Sequence, residues 1–352
     1  METKKGKVIC AMSGGVDSSV AAALLKKDGF EVIGVFMKFW SDKDDGNIKS
    51  ENRCCSSDSE KRARSTAAKL KIPFYVFNFE KEFKKMIVDE FLSEHKKGMT
   101  PNPCVACNKE IKFGLLLEKG LKLKAKLLAT GHYAIKKGDS LLKAKDANKD
   151  QSYFLWQLSQ KQLEKIIFPV GNYTKDKIRK LAKKFDLPVF DTPDSQEVCF
   201  IPKEVKDFLK KHLSEKPGDI VDDKGKILAR HNGLWFHTIG QRKGIGLPGG
   251  PYYVSGKDLK KNILIVTKNE KNLLKKEIVI KKINWISEKE PKLPLNVDIK
   301  IRYRDKGSQG RIEKVEKGKL KIVFKKSQRA VTSGQSAVMY KGKALLGGGI
   351  IC

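Results

Sequence analysis

Acidic side chains are scarce in this 352-residue chain: 41 Asp and Glu stand against 73 Lys and Arg, a formal net charge of +32. The excess runs along the whole sequence. Enriching Lys and Glu together would not produce it, so the composition points to a polyanionic partner, most simply nucleic acid, ahead of a Lys-rich bias that serves only solubility. Long apolar runs are missing as well. No stretch approaches a membrane span, and Met1 to Lys7 does not read as a signal peptide, so the chain is expected in the cytoplasm with no membrane partner. Cysteine is sparse and odd in number, seven in all: Cys10, Cys54, Cys55, Cys104, Cys107, Cys199 and Cys352. That excludes a structural disulfide framework and leaves reactive thiols or a metal site. There is no internal repeat and no long low-complexity linker, and the length suffices for two or three domains.

One further absence falls in the most informative stretch. Val8 to Leu25 reads VICAMSGGVDSSVAAALL: a short apolar run, a glycine turn, then good helix formers. No lysine follows the glycines, which excludes a Walker loop. Strand, glycine turn and helix together aim backbone N–H groups and a helix N-terminus at phosphate. Gly14 and Gly15 allow the tight turn, Ser13, Ser18 and Ser19 add hydroxyls, and Asp17 could hold a metal that bridges phosphates. The segment resembles the pyrophosphatase loop of ATP-pyrophosphatases, which release pyrophosphate and leave AMP on an acceptor oxygen.

Further strands are expected at Glu31 to Lys38, Pro73 to Phe79 and Lys126 to Gly131, with helices at Glu60 to Lys71, Phe83 to His95, Ile111 to Leu121 and Asp176 to Phe185, the last capped by Thr174. Alternating strands and helices predict a doubly wound parallel α/β sheet whose ligands sit beyond the strand ends. That puts Ser13 to Ser19, Met37 and Gly131-His132 on one rim, with Met37 and Gly131 available to an adenine and ribose; Met37 reads equally as core. Near residue 205 the composition changes to short strands and glycine turns, a small β-rich module. From about Lys276 alternating segments, Val297 to Tyr303 among them, predict a closed antiparallel barrel. The expected domains are 1–205, 206–275 and 276–352.

Met99 to Phe113 carries the second chemical signal, MTPNPCVACNKEIKF. Pro101 and Pro103 predict a stiff exposed loop, with a helix starting just after Cys107. A thiol near a helix N-terminus and lysines is a better nucleophile. Cys104 and Cys107 as C-x-x-C read alternatively as half a zinc site or a dithiol, and Cys199, in a loop of no regular pattern, as core or as a reactive thiol.

SGGVDSS, GVFMKFW, TPNPCVACNKEIKF, ATGHYA, KDQSYFLW, DSQEVCFIP, HTIGQRKGIGL and the late IRYR and SGQ segments recur here in the order of tRNA-specific 2-thiouridylases, which the chain resembles over nearly its whole length. The resemblance implies a catalytic domain of adenine-nucleotide α-hydrolase type. It implies that Cys107 is the nucleophile and Cys199 the persulfide carrier, forming a transient disulfide with Cys107. ATP binding would fall on Ala11, Met12, Ser13, Gly14, Gly15, Val16, Asp17, Ser18, Met37 and Gly131, with Mg2+ accompanying ATP. Asn102, Pro103 and Cys104 would meet the target base; some members have Asp where this chain has Cys104. His132, Asp150, Gln151, Ser152, Arg302, Tyr303 and Gln335 would meet tRNA. The implied reaction adenylates the uracil C2 oxygen of a wobble uridine in Lys, Glu and Gln tRNAs, making AMP the leaving group. Sulfur then arrives from Cys199, loaded by a cysteine desulfurase or relay protein. Either Cys107 releases it as sulfide, or the persulfide attacks C2 directly and Cys107 resolves the adduct.

Overall fold

The first apolar run forms β1 (Lys7–Ala11), the middle strand of a parallel sheet. The computed structural model describes residues 5–42, 56–192, 198–201, 204–316 and 318–352. In chain order β2 (Glu31–Lys38), β3 (Phe74–Asn78), β4 (Leu127–Ala129), a hairpin of β5 (Ala134–Lys137) and β6 (Ser140–Lys143), and the two-residue β7 (Ile166–Ile167) follow. The sheet runs β3-β2-β1-β4-β7 with every neighbouring pair parallel. Side chains alternate across a strand, so one continuous apolar run feeds two cores. Ile9, Ala11, Ile33 and Val35 face a cluster with Phe83, Ile87, Ile111 and Leu116, from helical segments 80–96 and 103–122. Val8, Cys10, Met12, Val32 and Phe36 face the opposite cluster, built with α1 (Val16–Lys27), α2 (Ser57–Lys69) and the helix Lys175–Lys184. Burial pushes the Cys10 thiol up to about 12, which makes it inert packing. This is the doubly wound sheet the alternation predicts, and its strand order changes direction between β1 and β4, where such sheets open a crevice.

Two local expectations are corrected. The stretch around Pro101 and Pro103 is not an exposed loop running up to Cys107. The helix starts at Pro103, which occupies its first turn, so Cys107 lies inside it and is buried. Proline is favoured at the first helical position, where its missing N–H would have had no partner. The strand expected through Tyr303 also stops short, and residues 301–304 turn away.

Residues 218–267 form the small β module, β8 (Gly218–Val221), β9 (Ile227–His231), β10 (Tyr253–Asp258) and β11 (Ile263–Thr267), in the order β10-β11-β8-β9. The final strands are β12 (Leu274–Trp285), β13 (Leu295–Lys300), β14 (Ser308–Glu316), β15 (Lys319–Arg329), β16 (Ser336–Lys341) and β17 (Ala344–Ile351). They run β12-β15-β14-β13-β16-β17, and pairing of β12 with β17 closes a six-stranded antiparallel barrel. The hairpin β5–β6 belongs to the barrel sheet, pairing Leu141 and Leu142 with Leu345 and Ala344.

Candidate active site

The turn after β1 folds on itself through its serines. Ser18 Oγ receives the Ser13 N–H at 3.2 Å and donates to the Gly15 carbonyl at 3.1 Å. Gly15 stands in the N-cap position of α1 with an extended backbone and no side chain to cap it, which leaves the first N–H groups of a twelve-residue helix for a ligand. Gly14 has φ +75°, and a Cβ there would lie 2.1 Å from the Ser59 carbonyl oxygen; only glycine lets the start of α2 press on the turn. Arg62 on α2 donates to the Gly14 carbonyl at 3.2 Å. Gly131, beyond β4, sits where a Cβ would be 2.7 Å from the Ser18 nitrogen, so the second wall of the crevice meets the first turn of α1. Ala11, Met12 and Val16 are buried and can offer only backbone. Met37 is the penultimate residue of β2 and packs on the core.

Asp17 is engaged. Its carboxylate receives Lys175 Nζ at 2.7 and 2.8 Å and the Tyr133 hydroxyl at 2.6 Å. The glycine turn therefore holds an ion pair, with Lys175 largely buried at 8 % exposure, and the carboxylate that would hold a metal is already paired. Lys175, Tyr133 and Arg62 escape sequence reading because nothing marks them among so many lysines, arginines and tyrosines. The fold alone brings them to the turn.

Cys104 and Cys107 stand one turn apart on one helix, Cys104 half-buried and Cys107 buried. The N–H of Cys107 bonds back to the carbonyls of Cys104 and Pro103. Cys199 is half-buried on the same core cluster as Cys107. Its neighbour Phe200 fixes that stretch, with ring centroids 5.8 Å from Phe83, 5.5 Å from Phe91 and 5.4 Å from Phe208. No disulfide joins Cys10, Cys104, Cys107, Cys199 or Cys352, so the Cys107–Cys199 disulfide that the resemblance implies is not present here. Cys54, Cys55 and residues 194–197 lie outside the described residues.

The residues expected to meet RNA divide by burial. Asp150 and Ser152 point inward. The Asp150 carboxylate receives the N–H groups of Ala144 at 3.0 Å and Ser152 at 3.2 Å, and Ser152 Oγ lies 3.1 Å from the Tyr340 hydroxyl of the barrel. Gln151 is half-buried, and its Oε1 receives the Tyr133 N–H at 2.9 Å. His132 Nδ1 is 2.8 Å from Thr130 Oγ1, with its ring against Phe113 and Phe168; burial, aided by Lys112, holds its pKa well below the usual value, so the imidazole is neutral. Tyr303 packs on Phe154 with centroids 4.5 Å apart. Arg302 donates to the carbonyls of Arg329 and Ala330. Gln335 donates to the Thr100 carbonyl at 2.7 Å and faces that of Pro101 at 3.4 Å. Arg302, Arg329, Gln335, Thr100, Thr238 and Gln241 line a cleft of about 390 Å³ between the barrel, the small module and the segment leading to Cys107.

Three family models cover nearly the whole chain: a tRNA methyl transferase HUP domain over residues 6–203, a tRNA methyl transferase PRC-barrel domain over 206–268, and an aminomethyltransferase β-barrel domain over 275–351. The tRNA-specific 2-thiouridylase of Clostridioides difficile is 46% identical over 355 residues, covering 98% of each chain. That of Halothermothrix orenii is 46% identical over 354 residues, again 98% of each, and one from Thermoanaerobacter pseudethanolicus is 44% identical over 358 residues, 99% of this chain and 98% of its own. With an uncapped helix behind a glycine turn, two thiols on one core and full-length relatives at this identity, the chain belongs to the tRNA-specific 2-thiouridylase family of sulfurtransferases.

Proposed function

We propose that this protein performs ATP-dependent 2-thiolation of the wobble uridine in tRNA anticodons. The observation that carries the reading is that Cys107 and Cys199, far apart in sequence, pack on one core cluster, while the turn at Ser13 to Ser18 presents an uncapped helix N-terminus beside Lys175 and Arg62. A uracil C2 oxygen is a poor leaving group. Transfer of AMP to it from ATP, with release of pyrophosphate, makes it a good one. The α1 N–H groups would stabilise the departing pyrophosphate. A persulfide on Cys199 supplies sulfur; its terminal atom ends on C2, AMP leaves, and Cys107 and Cys199 end as a disulfide for reduction by thiol. Mg2+ enters with ATP; because Asp17 is committed to Lys175, no step is assigned to the metal. The base would reach the thiols from a single-stranded anticodon loop, where bases can be splayed out.

Methyl transfer, named in two of the family descriptions, is the second reading; it would use neither a thiol pair nor a pyrophosphate site. The test is nucleoside mass spectrometry of tRNA incubated with ATP, Mg2+ and a persulfide donor, a cysteine desulfurase with cysteine. The expected product is ATP-dependent 2-thiouridine at the wobble position. Cys199→Ser abolishes it while adenylation of the substrate, read as pyrophosphate release, survives. Normal thiolation by that variant removes the role of Cys199, and a methylated nucleoside replaces the reading.

A further inference from the structure

Cys104 is the second residue of the helical run that Pro103 opens, and Cys107 follows one turn later. The Cys107 N–H bonds to the carbonyls of Cys104 and Pro103, so the backbone between the two cysteines is a closed helical turn. Helix geometry then sets their Cα atoms about 5 Å apart on one face, inside the span of about 4.4–6.8 Å that a disulfide bridges. Their Cβ atoms, about 5–6 Å apart on a regular helix, have to close by about 1 Å. No side-chain cap from Asn102 locks that first turn against the adjustment. The two thiols differ in access. Cys107 is 7 % exposed and lies in the core cluster on which Cys199 also packs, whereas Cys104 is half-buried, nearer the helix start. The difference matters when a turnover ends. The sulfur carrier is then held in a disulfide whose other sulfur is buried, and a solution thiol that attacked Cys199 would leave an adduct on the carrier itself.

We propose that Cys104 is a resolving thiol that moves the disulfide from Cys199 onto its own helix. The inference rests on the reading above, in which each sulfur transfer leaves Cys107 and Cys199 joined. Cys104, as thiolate, attacks the Cys107 sulfur. The Cys107–Cys199 bond breaks, the Cys104–Cys107 bond forms, and Cys199 departs as a thiolate that takes up a proton. No electrons enter or leave in this exchange, so it needs no co-reactant. Because the sulfur attacked belongs to Cys107, the step draws on the helical turn alone. Cys199 can then be reloaded with a persulfide sulfur. A dithiol reductant attacks Cys104, the more exposed of the pair, and both thiols return while the dithiol becomes a disulfide.

The test is a disulfide map of the full-length protein after one round of thiolation. The protein is loaded by a cysteine desulfurase with cysteine, desalted, and mixed with ATP, Mg2+ and an anticodon stem–loop RNA without reductant. It is then alkylated and digested unreduced with trypsin. Residues 98–109 form one tryptic peptide that holds both Cys104 and Cys107. The expected internal disulfide shows there as the loss of two hydrogens with no alkyl group, while Cys199 is alkylated. Cys107 still joined to Cys199, with Cys104 alkylated, overturns the inference. Cys104→Ser should leave Cys107 joined to Cys199. Its steady-state rate at limiting thiol should fall about tenfold below its own rate in excess dithiothreitol, whereas the wild-type rate should change by less than about twofold. Cys104→Asp, which carries the residue some family members have at this position, should share that dependence. Equal reductant dependence in wild type and variants also overturns the inference, and if neither variant folds the wild-type map decides alone. The two readings fail differently: no 2-thiouridine from the wild type removes thiolation itself, whereas 2-thiouridine formed with Cys104 still alkylatable removes only the resolving role.

Discussion

Lys175 carries more of the phosphate turn than any residue the motif itself displays. Its amine bridges both oxygens of Asp17, and Tyr133 adds a third hydrogen bond. Lys175→Met would leave the Asp17 carboxylate, about a third exposed, with Tyr133 and water. Removing one partner of a buried pair costs about 3–5 kcal/mol; solvent access on the Asp17 side reduces the expectation to about 1–2 kcal/mol. The larger effect should be on the nucleotide: pyrophosphate release is expected to slow at least about tenfold, with KM for ATP raised, if the amine also faces the departing phosphates. Stopped-flow pyrophosphate detection and a thermal melt separate the two, and a variant that melts early but turns over normally would make Lys175 purely structural. The serines and glycines of Ser13 to Ser18 were legible in the sequence because the chemistry needs them contiguous. Lys175, Tyr133 and Arg62 were not, because contact made by folding leaves no spacing to read.

Elements show the same division. The unbroken apolar runs of β1 and β2 announced strands buried on both faces, and both cores are there. Pro103 looks like a helix breaker because a proline looks alike in a loop and in a first turn; what distinguishes them is whether the residues that follow bury one face, as Cys107, Asn108 and Ile111 do. The hairpin β5–β6 was illegible for another reason: its partner β17 lies near the far end of the chain. The barrel grips the approach to Cys107 at a second place. The Thr100 N–H bonds the Ser333 carbonyl at 2.8 Å. Gly334 has φ +91°, and a Cβ there would lie 2.9 Å from both Met99 Cβ and the Thr100 nitrogen. Gly334→Ala should cost about 1–3 kcal/mol from the backbone conformation alone. It should also push residues 99–101 off the barrel, so thiolation falls while adenylation, read as pyrophosphate release, persists. Retention of wild-type thiolation at unchanged melting temperature would show that this contact is not required.

At the scale of the whole molecule, the small module is joined to the sheet domain through two histidines that burial keeps neutral and a buried lysine. His95, near the end of the helical segment 80–96, has its pKa lowered to about 4 by burial and by Lys257; the carbonyl of Trp235 opposes the shift. His237 is likewise lowered to about 4 by burial, with His231, Lys206 and Lys257 adding to it. Lys257, itself lowered to about 8 by burial, donates across the junction to the Gly98 carbonyl at 3.2 Å. No carboxylate is among these groups to compensate a new charge. An unfolded histidine takes its proton near the ordinary value of 6.5, whereas these two take it only near 4 when folded. Between those limits the unfolded chain binds more protons, so stability rises with pH and is lost as pH falls from about 6.5 toward 4. Each histidine contributes a slope of at most about 1.4 kcal/mol per pH unit in that window. Urea midpoints at pH 7, 6 and 5 should therefore decline, and the double variant His95→Phe, His237→Phe should flatten the curve whatever its stability at pH 7. Midpoints that stay level in the wild type would mean the junction already accommodates the charged imidazoles. A decline that survives the double substitution would move its origin to carboxylates elsewhere, since buried imidazoles and ion-paired acids lose stability over different parts of the acid range.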